Sequence, residues 1–154
     1  MKLLLAVIAA ATLGGVAPAV ASAPTPTTYR AQLNRVCRGY TAKFNELKPR
    51  MDKAWKAKDG KAYGAALGQW IVLMLAQDAY IERAEVPAGM RAQMAPIHRL
   101  LRTADSHARL VVRKAANGDT RGMFAELDKI FKLAPAVNKR FDRAGLRDCG
   151  SNQA

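Results

Sequence analysis

MRAQMAPIHRLLRTADSHARLVVRKA, residues 90–115, puts an apolar or small side chain at Met90, Met94, Ile97, Leu101, Ala104, Ala108, Val111 and Ala115. Steps of three and four residues trace one face of a helix, so this stretch predicts a long amphipathic helix. Asn117-Gly118-Asp119 interrupts it, and a second seam follows at Met123, Leu127, Ile130, Ala134, Val137, Phe141 and Ala144, widened by Phe124, Phe131 and Leu133. Gly145 ends that helix, and Leu146-Arg147-Asp148-Cys149 folds back towards the start of the chain.

Upstream, Val86-Pro87-Ala88-Gly89 separates this pair from another. A helix from about Lys61 to Ala84 contains Trp70–Ala76, a run apolar almost all round and therefore expected to be the most buried segment. Gly60, Gly64 and Gly68 recur every four residues and leave one side bare, as if for close approach of a neighbouring helix. The first helix carries Leu33, Val36/Cys37, Tyr40, Phe44, Leu47, Met51 and Trp55. Thr27 or Thr28 suits its cap. Gly60 suits a left-handed stop, and Asp59 the opening of the next helix.

Four helices joined by short loops, with no competing strand pattern, define an all-α fold. The expected architecture is an antiparallel up-down-up-down four-helix bundle. Pro49, Pro96 and Pro135 lie inside three helices and predict a kink or local break at each.

The N-terminus has a different character. Lys2 precedes an apolar run from Leu3 to Leu13, and Ala21-Ser22-Ala23 stands just before Pro24. This pattern reads as a secretory signal peptide over 1–23, cleaved near Ala23. Residues 24–28 then form an extended leader, 29–150 the bundle and 151–154 a flexible tail. No apolar stretch of about 18 residues follows, so no membrane span is expected in the mature chain. Cys37 and Cys149, the only cysteines, are expected to form one disulfide in an oxidising compartment. Cys37 lies some 13 Å along the first helix axis, within reach of the short tail after Gly145.

Without Lys2 the chain has 24 basic and 12 acidic residues, a formal charge of +12. Charge of this size governs partners rather than fold. Anionic cell-envelope polymers, lipid surfaces and acidic proteins are the expected partner classes. Nucleic acid ranks below them, because the aromatics sit on helix seams instead of alternating with the cations. Lys53, Lys56, Lys58 and Lys61 surround the first loop, and Arg113, Lys114 and Arg121 the third. In an up-down bundle both loops lie at one end, making these seven the candidate anion-binding residues.

The chain resembles secreted, all-helical, cysteine-bracketed proteins of high-GC Gram-positive bacteria. The likeness rests on the early Cys37, Pro96-Ile97-His98, Ala116-Asn117-Gly118-Asp119 and the terminal Gly145-Leu146-x-x-Cys149-Gly150. It implies export and a helical fold; it carries no activity.

Reaction motifs are sparse. His98 and His107 are the only histidines and lie on roughly opposite sides of one helix. No zinc, di-iron or haem-attachment pattern is present, and no cofactor is expected. Met90, Met94 and His98 at i, i+4 and i+8 offer soft ligands for a copper site, although two of them occupy seam positions. Asp78, Glu82 and Glu85 form an acidic stripe that reads as a solvated, salt-bridged face. Ser106 beside His107 lacks a nucleophile elbow. A kinked bundle can also carry an apolar ligand, with Met51, Met74, Met94 and Met123 as lining. The expectation is therefore a non-enzymatic binding protein.

Overall fold

The computed structural model describes residues 23–153, so the expected signal peptide lies outside the described residues, except for its last residue, Ala23. Four helices follow in order: α1 (Pro26–Lys56), α2 (Gly60–Arg83), α3 (Arg91–Ala116) and α4 (Thr120–Arg143). A single 3₁₀ turn, Ala88–Met90, leads into α3, and two more, Arg147–Cys149 and Ser151–Gln153, follow α4. The described residues contain no strand.

α1 starts earlier than expected. Thr25, not Thr27 or Thr28, is the cap: its side chain accepts from the Thr28 amide at 3.2 Å. Pro26 takes the first helical position, where its missing N–H costs nothing. The internal prolines do not break their helices, which run continuously past Pro49, Pro96 and Pro135. Pro49 and Pro135 sit on exposed faces, where water can satisfy a carbonyl released by the missing donor.

The two hairpin turns are one structure built twice. The Asp59 amide bonds the Ala54 carbonyl and the Asp119 amide the Lys114 carbonyl, each at 2.9 Å. Each aspartate then caps the next helix, accepting from Ala62 at 2.9 Å and Gly122 at 2.8 Å. The left-handed residue is Gly118 (φ 70°) in one turn and Lys58 (φ 56°) in the other. The expected stop at Gly60 is thus displaced to Lys58, and Gly60 is the first residue of α2.

α1 packs along α2 and α3 along α4, with a lighter α2–α3 seam between the hairpins. Contacting pairs run in opposite senses: Gln32 with Tyr80, Phe44 with Trp70 and Trp55 with Tyr63, and His107 with Glu126 in the second hairpin. α1 meets the end of α4 through the returning C-terminal segment. Arg30 Nε donates to the Ala144 carbonyl at 2.8 Å and Asn34 Nδ2 to that of Gly145 at 3.1 Å. The Cys37–Cys149 disulfide closes this corner. Gly150 is required there, because a Cβ would meet the Asn138 carbonyl oxygen at 2.9 Å.

Two hydrophobic clusters form the core. One, around the disulfide, holds Leu33, Ile81, Met94, Ile97, Phe141 and Leu146. The other, towards the turns, is built on Leu67, Ile71, Ala108, Val111, Leu127 and Ile130. The seam of α3 is buried from Met94 to Val111 as its periodicity requires. The reading of α2 needs two corrections. Within Trp70–Ala76 only Ile71 is buried, and Val72 is 64% exposed. α2 packs mainly on α1 and only lightly on α3, so an all-round apolar helix has no partner for its outer side. Gly60, Gly64 and Gly68 have open space where a Cβ would sit, so they receive no close-packed helix.

Candidate functional site

Both turns converge on one end of the bundle. Their flanking residues enclose a groove of about 670 Å³ lined by Trp55, Tyr63, Met123 and Phe124, with Lys58, Asp59 and Thr120 at its polar edge. Trp55 is 66% exposed and Phe124 42%, although both fall on apolar seams in the sequence. Trp55 in the last turn of α1 and Phe124 near the start of α4 continue their seams past the level of the core, where little remains to bury against. Trp55 leans on Tyr63, with ring centroids 5.6 Å apart.

The seven cations flank these same turns. Lys53 and Lys56 occupy the last turn of α1, and Arg113 and Lys114 that of α3, positions that also complement the negative end of each helix dipole. Lys61 and Arg121 stand in the first turns of α2 and α4. Only Lys58 lines the groove itself; the others surround it by register. Among the described residues six of the seven make no ion pair. Lys114 is the exception, at 2.9 Å from Asp119. The nearby carboxylates Asp59 and Asp119 are committed to helix caps. Asp119 is held below the ordinary carboxylate range by its bonds from Lys114 and the Gly122 amide.

The copper candidates lie together at the start of α3. Met90 and Met94 are core side chains, each 1% exposed. His98 is half-buried on the same helix, and burial lowers its basicity; its Nε2 has no partner. Among the described residues no three His, Cys, Asp or Glu side chains converge as a metal site. His107 Nδ1 lies 2.6 Å from Glu126, which also accepts from Lys129. Of the proposed methionine lining, Met74 reaches the interior cavity, Met123 the end groove, Met94 the core near the disulfide and Met51 the edge of the second cluster.

The acidic stripe is only partly the solvated face expected. Glu82 receives Arg102 at 3.2 Å, but Asp78 is only 6% exposed. It faces Asp105 across the α2–α3 seam. Burial, the Asp105 charge and the hydrogen bond between the two carboxyls push Asp78 up to about 8. Burial also raises Asp105, and its Oδ1 has no hydrogen-bond partner. Sequence spacing alone cannot find this pair, because its members lie on different helices.

Asp78 also lines a cavity of about 220 Å³ between the two core clusters. Phe44, Trp70 and Phe131 edge it from α1, α2 and α4. Trp70 lies between the other two rings, at centroid distances of 5.6 and 6.3 Å. Gln77, 5% exposed, and Asn138 complete the polar lining.

No helix among the described residues is long and apolar enough to cross a membrane. No protein-family model, curated protein or solved structure matches the chain.

Proposed function

We propose that this is an exported, non-enzymatic protein that associates with anionic cell-envelope material through the turn end of its bundle. The observation supporting this reading is the groove between the two turns. Exposed Trp55 and Phe124 stand there, with seven cations flanking the two turns, of which six make no ion pair among the described residues. Asp59 and Asp119, the carboxylates in the two turns, are engaged as helix caps. The disulfide fits an oxidising compartment, as do the signal-peptide pattern and the likeness to secreted helical proteins.

Cations supply attraction that decays with salt, on a screening length of about 10 Å at 0.1 M. Exposed aromatic rings add contact that salt does not screen, as they do at lipid headgroups. The test is co-sedimentation with purified cell wall and with anionic vesicles at low and high salt. A variant carrying Lys53, Lys56, Lys58, Lys61, Arg113, Lys114 and Arg121 all changed to Gln should remain in the supernatant. Binding indifferent to both salt and these substitutions overturns the proposal.

A further inference from the structure

The bundle interrupts its own core at one level, and there it buries groups that a packing argument would remove. Gln77 is 95% out of solvent by its 5% exposure, yet it makes no side-chain hydrogen bond among the described residues and borders the central cavity. Asp78 borders the same space from the next position. Behind it, Asp105 keeps an oxygen without a partner. Unpaired buried polar groups are costly, and replacing them with apolar residues of similar shape is often neutral or better. The Gln77 amide beside an open volume points to an occupant that completes its bonding.

The lining specifies the occupant's chemistry. No Lys, Arg or His borders the cavity, in a protein otherwise rich in cations. Its polar side is one carboxyl, Asp78, with two amides, Gln77 and Asn138. The rest is aromatic and aliphatic, with Phe44, Trp70 and Phe131 grouped together and Phe131 58% exposed at the opening. An anionic ligand would find no cation to meet it. A purely apolar one would leave the Gln77 amide unsatisfied. A protonated amine takes the place of the proton that Asp78 holds and pairs with the carboxylate so formed, and aromatic faces attract both its charge and an attached ring. The volume, about 220 Å³, exceeds the roughly 150 Å³ of an engineered cavity that holds benzene.

We propose that the central cavity is a binding site for a small arylalkyl ammonium ion. Its ammonium group meets Asp78 and Gln77, and its ring packs against Trp70, Phe44 and Phe131. The site is independent of the turn end. Either can fail without the other.

The probe is 2-phenylethylamine at pH 8.5, where Asp78 is largely ionised and the amine still protonated, titrated against the disulfide-intact chain with Trp55→Phe, so that Trp70 is the sole tryptophan. Calorimetry follows on the unaltered protein. A saturable signal with Kd between about 10 μM and 1 mM is expected for so few atoms. The neutral isostere 2-phenylethanol should bind at least about tenfold more weakly, and 3-phenylpropionate should not bind. Asp78→Asn, nearly equal in volume, should cost the amine at least about tenfold while leaving the alcohol nearly unchanged. Ala104→Leu, which fills the cavity from α3, should abolish binding of both. If Asp78→Asn does not fold, the amine-to-alcohol ratio and Ala104→Leu decide. No saturable amine binding, equal affinity for amine and alcohol, or binding that survives Ala104→Leu overturns the proposal.

Discussion

Opening the Cys37–Cys149 disulfide should cost this protein more than any single side-chain contact. The bond spans 112 residues of sequence. On the loop-closure relation, cross-linking a loop of that length stabilises by about 4.8 kcal/mol at 25 °C. The described 131 residues, 23–153, imply an unfolding entropy near 0.27 kcal/mol/K, so the reduced protein should melt about 17 °C lower. The native state should change little. Arg30 and Asn34 hold the carbonyls of Ala144 and Gly145, Asn34 Oδ1 accepts from the Asp148 amide at 3.1 Å, and Arg38 pairs with Asp148. The returning segment therefore stays docked without the covalent bond, and the loss falls mainly on the unfolded chain, which expands. Thermal and urea unfolding by circular dichroism, with and without reductant and with Cys37→Ala/Cys149→Ala, measure both effects. The melting temperature should drop by that order and the urea slope should rise as the unfolded chain exposes more surface. A drop below about 5 °C with an unchanged slope would refute the loop-closure argument.

Two further outcomes follow from particular residues. Asp78 has a folded pKa of about 8 against an ordinary 3.8, so the native state holds a proton that the unfolded chain releases. Stability should fall as pH rises between those values, by up to about 1.4 kcal/mol per pH unit for one proton, and level off above about pH 8. Asp105 and Glu82 reinforce this shift. His98, lowered by burial, works in the opposite direction below about pH 6.5. Urea midpoints between pH 6.5 and 8.5 should therefore slope downward in the native sequence and flatten in Asp78→Asn; equal slopes would refute the buried-carboxyl account. Lys58 sits in the left-handed region at φ 56°, where the matching turn has Gly118. Lys58→Gly should raise stability by roughly 0.5–1 kcal/mol while weakening association with anionic vesicles, and a lowered melting temperature would contradict the strain.

Sequence by itself determined the four helices, because apolar residues at three- and four-residue steps bury only on one face of a helix. The aspartates of the two turns were equally legible, since a cap is a local bond between neighbours. Cys37 and Cys149 could be paired from their placement along the chain, and the seven cations could be gathered at one end from the direction of the helices. What lay beyond the sequence is everything set by which helix faces meet. Val72 and the glycines of α2 belong to an outer side only because no helix covers them. Trp55 and Phe124 keep the period of a seam but lie past the level where the core closes. Asp78 looked like part of a solvated stripe with Glu82 and Glu85. Only the α2–α3 seam turned it inward against Asp105, beside a gap between two core clusters. Periodicity records which residues share a face; burial and the chemistry of a cavity depend on what packs against that face, and tertiary structure decides that.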